Sequence, residues 1–313
     1  MAAQSWDEIN FNAIPGKAML LHTSQLGKDK QNVFERHDQI ERLKDWVLRQ
    51  PRVKFNGYPY ELTKAAAMSR NPTLIQKLIY NRQFETLLDF LRDHKLGNTL
   101  ACLDTSGSMK MEVCGPTTAY DICLSMGLVF SALNVGHFKD VVVAFDSESS
   151  LIKLAGEFCD RLHHLERMTT AWGSTNFQSV IDLLVKVRTE SPEIPVDQYP
   201  ETLLIISDMQ FNPVDGNTET NYTTAMKKLS SVGLSDVRII WWVVNGAGTD
   251  FPSQMHDRGV YMIGGFDPSN IKALLGLTTT KPENEKNLIA PSQETPLDGM
   301  MNFFDQPIFR LVT

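Results

Sequence analysis

The sequence predicts an α/β protein built on a doubly wound, mostly parallel open sheet, preceded by a helical module. From about residue 98 onward, short apolar runs alternate with amphipathic stretches, the pattern of strands and helices in a parallel sheet covered on both faces. Before that point, apolar residues recur at helical spacing. Several of the apolar runs end abruptly in polar loops, which is where ligands bind in open α/β sheets.

The first 97 residues are predicted to form a module of about four helices. A short helix is expected after Pro15, and apolar residues from 33 to 48 fall at helical spacing until Pro51 ends the helix. A further helix is expected over 61–68, and a last one, with a strongly apolar face, over 73–94. No repeat period is evident, so the sequence does not indicate a repeat array.

Residues 98–277 are predicted to form the sheet domain. The expected strands are 99–104, 140–145, 202–207, 237–244 and 259–263. The expected helices are 117–133, 177–187, 218–231 and one that begins at 268. Strand alternation places Trp241 and Trp242 on opposite faces of their strand. Residues 278–313 are predicted to be a polar linker followed by an apolar segment that docks on the body of the protein.

Three of the predicted polar loops carry oxygen ligands. Asp104, Ser106 and Ser108 follow the first strand, and a glycine between the two serines permits the loop to curl so that alternate side chains converge. Thr175 precedes a helix, and Asp208 follows a strand. Carboxylate and hydroxyl oxygens suit a small hard cation such as Mg²⁺. The alternative for the first loop is an ordinary Asp/Ser/Gly turn, which is a common loop type.

These loops resemble the metal-ion-dependent adhesion site (MIDAS) of von Willebrand factor A (vWA) domains, in which Asp-x-Ser-x-Ser precedes a lone Thr and then an Asp after a strand. The resemblance implies a vWA/Rossmann-like fold. It also implies a site for Mg²⁺ or Mn²⁺ made by Asp104, Ser106, Ser108, Thr175 and Asp208. In that family the hydroxyls contact the metal, the aspartates act mainly through bound water, and a partner's carboxylate completes the shell. The acidic loop at 146–148 is an alternative neighbour of the metal site, but it has no counterpart in the motif.

The resemblance is closer to one intracellular branch of these domains. The runs 104–129, 207–211 and 238–245 resemble an uncharacterised plant and viral family that is itself similar to the Ro ribonucleoprotein autoantigen. Both place a helical module before an A domain, and in the Ro-like proteins a larger helical solenoid binds RNA. This chain has room for only the last portion of that solenoid. Several intracellular A domains serve as adaptors of ring-shaped AAA-type ATPases, which adds such an ATPase as a candidate partner.

Four side chains of the helical module offer a nucleic-acid alternative. They combine stacking and charge, as single-stranded nucleic acid requires: Arg52, Lys54, Tyr58 and Tyr60. The favoured interpretation of the same segment is an ordinary packing contact, because proline-containing aromatic turns commonly pack against linkers.

Composition and charge limit the classes of function. The chain has 313 residues and a net charge of −7, which gives no sign of a general nucleic-acid binder. The first 97 residues carry 15 basic and 11 acidic side chains and the remainder 15 and 26, so the helical module is mildly basic. The four cysteines show no CxxC or zinc spacing, and Cys102 and Cys123 fall in predicted core elements, which indicates thiols in a reducing compartment. With no signal region and no membrane-spanning stretch, we expect a cytoplasmic protein that contacts no membrane.

The sequence favours binding over catalysis. It contains neither G-x-G-x-x-G nor G-x-x-x-x-G-K-[ST], and the Ser-Gly-Ser loop is not the G-x-S-x-G nucleophile elbow. No paired carboxylate or histidine is placed to act as a general base beside the predicted metal. We therefore expect a metal-dependent protein-binding module that is not an enzyme and whose partner presents an Asp or Glu carboxylate. The alternatives are a Ro-like RNA-associated protein and a structural component of a viral or cellular assembly.

Overall fold

A computed structural model describes residues 6–69, 71–92, 97–169, 173–209, 211, 220–245 and 260–265. The chain divides into two compact units. The helical unit contains the helices before residue 93 together with Ala155–Leu165, and the sheet unit contains the other described residues. The predicted helix at 268 and the predicted tail lie outside the described residues. No helix within the described ranges is long and apolar enough to cross a membrane.

The helical unit has five α-helices among its described residues before position 93. They are α1 (Gly16–Ser24), α2 (Val33–Arg36), α3 (Ile40–Arg49), α4 (Pro59–Met68) and α5 (Leu74–Arg92). The prediction of one continuous helix over 33–48 is wrong. Asn32 and Glu35 form a capping box that starts α2. Asp38 then adopts a φ of +54°, a left-handed conformation that a helix does not accommodate, and α3 begins two residues later.

The core of the helical unit combines apolar packing with a buried amide. Phe34, Val47 and Ile79 are fully buried. The buried Gln83 side chain donates from Nε2 to the carbonyl oxygens of Gly16, at 2.9 Å, and Lys54, at 3.2 Å. A Cβ atom on Gly16 would lie 2.3 Å from that same Lys54 oxygen. Close backbone approach therefore requires a glycine at the start of α1.

The described residues of the sheet unit form eight strands. They are β1 (Thr99–Asp104), β2 (Glu112–Cys114), β3 (Thr117–Thr118), β4 (Val141–Phe145), β5 (Ser149–Lys153), β6 (Thr202–Ser207), β7 (Arg238–Val243) and β8 (Val260–Gly264). Six of them form one sheet in the order β5-β4-β1-β6-β7-β8. All neighbours in this sheet are parallel except the β4–β5 pair. The remaining two strands form a short antiparallel hairpin.

Helices cover both faces of the sheet, as the predicted fold class requires. The described helices of the sheet unit are α6 (Ala119–Leu133), α8 (Phe177–Glu190) and α9 (Asn221–Ser231). The intervening helix α7 (Phe158–Met168) belongs to the helical unit as far as Leu165. Trp241 packs against Phe177 of α8, with ring centroids 4.7 Å apart. Trp242 faces Phe130 of α6, at 6.4 Å. The predicted opposite orientation of the two tryptophans is confirmed, and so is the mostly parallel, doubly wound α/β architecture.

The strand order creates a switch point beside β1. The chain leaves β1, forms β4 on one side of it, and later returns to form β6 on the other side. In open α/β sheets, the crevice at the carboxyl ends of strands flanking such a reversal is where ligands bind. The topology therefore predicts a ligand site in the loops that follow β1 and β6.

Candidate metal centre

The first loop begins at the carboxyl end of β1. Asp104, the last residue of that strand, is fully buried. Its Oδ1 atom accepts the backbone N–H of Ser106 at 2.9 Å, which curls the chain back over the strand end. A 3-10 helix over Gly107–Lys110 follows, and the Oγ atoms of Ser106 and Ser108 lie 3.1 Å apart. The two hydroxyls and the carboxyl group therefore converge, as the spacing predicts.

The third loop is joined directly to the first. Because β1 and β6 are parallel neighbours, with Leu103 beside Ile206, their carboxyl ends lie side by side. The Ser207 hydroxyl donates to Oδ2 of Asp104 at 2.5 Å and accepts the backbone N–H of Met209 at 2.9 Å. Asp208, between them in sequence, is 1% exposed. The sequence did not predict the part played by Ser207, since a serine at a strand end has no distinctive signal.

The second loop is joined to the first by the backbone. Thr175 is 4% exposed and lies two residues before α8. The N–H of Gly107, in the first loop, donates to the carbonyl of Gly173 at 3.4 Å. Oδ2 of Asp146 accepts the N–H of Gly173 at 3.2 Å, and the carbonyl of Asp146 accepts the N–H of Asn176 at 2.8 Å. Asp146 therefore holds both ends of the segment that carries Thr175.

Burial is the largest influence on the pKa values of Asp104 and Cys123, at the carboxyl end of β1. The pKa of Asp104 is raised to about 6: burial is the largest cause, the Ser207 and Ser106 hydrogen bonds oppose it, and the negative charge of Asp208 adds to the rise. Among the described residues, no cation acts on this carboxyl. Beneath it, the Cys123 thiol donates to the carbonyls of Asp104, at 3.6 Å, and Ile206, at 3.5 Å. Burial raises the pKa of that thiol far above its usual value, so it stays protonated and acts as a packing group.

The donor set suits a hard cation bound through mixed oxygens. Asp104, Ser106 and Ser108 share one loop, Ser207 brings Asp208 beside it, and Gly173 brings the Thr175 loop to it. Within the described ranges, no group of three or more His, Cys, Asp and Glu side chains could hold a metal. The carboxylate and hydroxyl oxygens of the three loops match a hard cation such as Mg²⁺ or Mn²⁺ better than a borderline metal such as zinc.

Comparison with known proteins identifies the family. The family described as "Domain of unknown function (DUF7788)" matches residues 98–302, which include the whole described sheet. The chain belongs to this family. In Acanthamoeba polyphaga mimivirus, "Uncharacterized protein L728" is 21% identical over 300 residues, which are 90% of this chain and 50% of that protein. The chain thus spans about half the length of this curated relative.

One solved structure gives a partial match to this member of the DUF7788 family. The crystal structure of the Deinococcus radiodurans RO (RSR) protein superposes with a TM-score of 0.48 and 16% identity. The superposition covers 84% of this chain and 51% of that one.

The residues suggested for single-stranded nucleic acid are engaged within the helical unit. Arg52 forms ion pairs with Glu85, at 3.4 Å, and with Asp89. Lys54 donates from Nζ to a backbone carbonyl at 2.9 Å. Tyr58 and Tyr60 stack on each other with ring centroids 5.4 Å apart. Each group that would contact a phosphate or a base already contacts the protein.

Three of the four cysteines are buried in the structure, and all four are free thiols. Cys102, Cys123 and Cys159 are buried, and Cys114 is exposed on the hairpin. The predicted burial of Cys102 and Cys123 is confirmed.

Proposed function

We propose that the chain is a magnesium-dependent protein-binding module of the vWA type. Asp104, Ser106, Ser108, Thr175 and Asp208 would hold the ion as an intact MIDAS, with Mn²⁺ as the alternative metal. The observation that carries the proposal is the convergence of three loops at the switch point of the sheet, where Ser207 fixes the buried Asp104 carboxyl.

The chemistry of the donor set favours an anionic partner group. Three of the five proposed ligands are neutral hydroxyls, so a bound divalent cation would keep uncompensated positive charge. Such a cation attracts a carboxylate, and an Asp or Glu side chain of a partner protein is the expected completing ligand. The chain's own residues position the ion and shield it from bulk water, because Asp104, Ser106 and Thr175 are buried.

Binding without catalysis is the proposed mode of action. The three loops contribute hydroxyls and carboxyls but no histidine, lysine or cysteine at residues 104–108, 173–176 and 207–209. A hydrolytic role would require a general base next to the ion. The proposed partner is a cytoplasmic protein, for which a ring-shaped AAA-type ATPase is one class.

The contacts of Arg52, Tyr58 and Tyr60 within the helical unit are relevant to the alternative of a Ro-like RNA-associated protein. RNA binding by this unit would require exposed cations and open aromatic faces. Arg52 forms ion pairs with two carboxylates, and Tyr58 and Tyr60 each use one ring face to stack on the other. These contacts favour a protein partner at the sheet unit over RNA at this segment of the helical unit.

The proposal is tested by affinity capture with the full chain as bait. Each capture is run in Mg²⁺ and in EDTA, with and without nuclease, for the native chain, for Ser106→Ala and for the control Ser231→Ala on α9. We expect a protein partner that is lost in EDTA and on Ser106→Ala, and that is retained after nuclease and by the control. Retention of RNA irrespective of metal would contradict the proposal. Unfolding of Ser106→Ala, seen by circular dichroism, would instead assign the loop a structural role.

A further inference from the structure

A cavity of about 390 Å³ lies beside the candidate metal centre. Its wall includes Thr105, which stands between the proposed ligands Asp104 and Ser106, and Gly173, whose carbonyl binds the first loop. The lining also includes the turn and strand from Asp146 to Ser150 and, at the end of α7, Met168. The small side chain of Ala144 on β4 forms part of the lining. Cavities of this size hold small ligands or one to two amino-acid side chains.

Most polar groups of the wall already have partners. The hydroxyl of Thr105 donates to the carbonyl of Phe145 at 3.1 Å. Asp146 accepts two backbone N–H groups through its carboxylate, one through each oxygen, both at 3.2 Å. Thr169 and Tyr120 share a hydrogen bond of 2.5 Å between their hydroxyls. These hydrogen bonds fix the shape of the wall, and the groups that form them are already used within the protein.

Two side chains of the wall are available. Glu148, just before β5, and Ser150, within it, are exposed, and both line the cavity. Neither side chain has a hydrogen bond or ion pair to another described residue. None of the ten described residues that line the cavity is positively charged, and two are carboxylates. The cavity therefore carries negative charge and open acceptors, and it suits a cationic donor.

We infer that this cavity receives a lysine or arginine side chain of the same partner segment whose carboxylate binds at the metal centre. The inference rests on the proposed function. Thr105 makes the two sites continuous, so one extended segment reaches both. The ammonium or guanidinium group meets Glu148 and Ser150, while its aliphatic stem lies along Ala144 and Met168. The module would thus select segments that carry both charges over segments that are only acidic.

Binding of a cationic side chain in the cavity can be measured without the metal. N-acetyl-lysine amide is titrated into the isotope-labelled full chain, and the amide resonances of Glu148, Ser149 and Ser150 are followed by NMR, with the uncharged N-acetyl-glutamine amide as control ligand. We expect saturable shifts with the lysine compound alone. Glu148→Gln should weaken its binding about 2- to 5-fold, the range for an exposed ion pair, and the exposed Glu193→Gln should leave it unchanged. Equal shifts with both compounds, or no effect of Glu148→Gln, would overturn the inference.

A peptide array separates this inference from the proposed function. Nine-residue peptides with one central Asp carry Lys or Gln at each other position in turn, and their retention is measured in Mg²⁺ and in EDTA. Both the proposed function and the cation site are supported if retention depends on Mg²⁺, is stronger with Lys than with Gln at particular positions, and loses that preference for Lys in Glu148→Gln. Mg²⁺-dependent retention that is indifferent to Lys overturns the cation site alone. Saturable NMR shifts without any Mg²⁺-dependent retention would support the cavity as a cation site and contradict the proposed function.

Discussion

Two carboxylates of this chain, Asp89 in the helical unit and Asp104 in the sheet unit, lie in opposite environments. In the helical unit, Asp89 is about half exposed and binds the guanidinium groups of Arg52 and Arg92. These partners hold the pKa of Asp89 below its ordinary value, the Arg52 hydrogen bond contributing most. In the sheet unit, Asp104 is fully buried, its pKa is raised to about 6, and the groups that act on it are hydroxyls, an amide and another carboxylate.

The contrast is consistent with the proposal that the Asp104 site, and not the Asp89 network, binds a cation. The charges of the helical network compensate one another, so it is complete as it stands. Two buried carboxyls near each other, with hydroxyls and no cation acting on Asp104, are costly for a protein to maintain for stability alone. A divalent cation would offset that cost. The predictions below use each unit as the control for the other.

The largest expected effect is on stabilisation by metal. For the native chain, Mg²⁺ at 100 times its dissociation constant should add about 2.7 kcal/mol to the free energy of unfolding. Asp104→Ala should abolish this gain, and Asp89→Ala should keep it in full. Thermal unfolding with Mg²⁺ and with EDTA measures both. If the Mg²⁺-induced shift in Tm is unchanged in Asp104→Ala, the metal assignment is refuted.

A second effect should be seen without metal. Ser207→Ala removes a donor from a buried carboxyl, which should cost about 1.5–3 kcal/mol at neutral pH, where hydrogen bonds to charged groups are strong. The matched control is Ser131→Ala, also buried, whose hydroxyl donates to the neutral carbonyl of Leu128 at 3.1 Å and should cost about 1 kcal/mol. Urea unfolding in EDTA compares the two. Equal costs would show that Asp104 carries no charge in the metal-free protein.

The third prediction concerns the loop that carries Thr175. Asp146→Ala removes the acceptor that holds the N–H of Gly173, and loss of such a supporting contact should weaken Mg²⁺ binding about 10-fold. Ser147→Ala removes two exposed hydrogen bonds to Ser174, from its N–H at 3.1 Å and with its hydroxyl at 3.3 Å, and should have a smaller effect. Isothermal titration with Mg²⁺ measures both affinities. An unaltered affinity in Asp146→Ala would mean that Thr175 is not a ligand.

The parts of the fold that the sequence predicted are those buried on both faces. β1, β4, β6 and β7 read as continuous apolar runs because helices cover both sides of a parallel sheet, and their predicted bounds agree with the structure to within one residue. The edge strand β5 was missed, since its residues are mostly polar or exposed. The hairpin after the first loop was missed for the same reason, although the Thr118–Asp121 capping box marked where the following helix begins.

Local spacing predicted only the first loop of the candidate site, and the resemblance to vWA domains added Thr175 and Asp208 from two distant loops. Asp104, Ser106 and Ser108 converge because a single turn brings them together. Ser207 and Asp146 act on residues 103 and 27 positions away, and only the strand order makes those pairs neighbours. Hydrogen bonds of this kind follow from tertiary structure and leave no periodicity to detect.

The smallest expected effect belongs to the exposed network. Asp89→Asn should reduce the free energy of unfolding by less than about 1 kcal/mol at pH 7, because solvent screens ion pairs at this exposure. Since the folded-state pKa lies below the ordinary value of 3.8, the contribution is present above about pH 4 and is lost as the pH falls through the folded-state pKa. It should also shrink in 1 M NaCl, where the screening length is about 3 Å. Urea unfolding of both chains across pH 3–7 checks this. A difference that persists in high salt would mean that Asp89 stabilises by packing, and the contrast between the two units would then rest on burial alone.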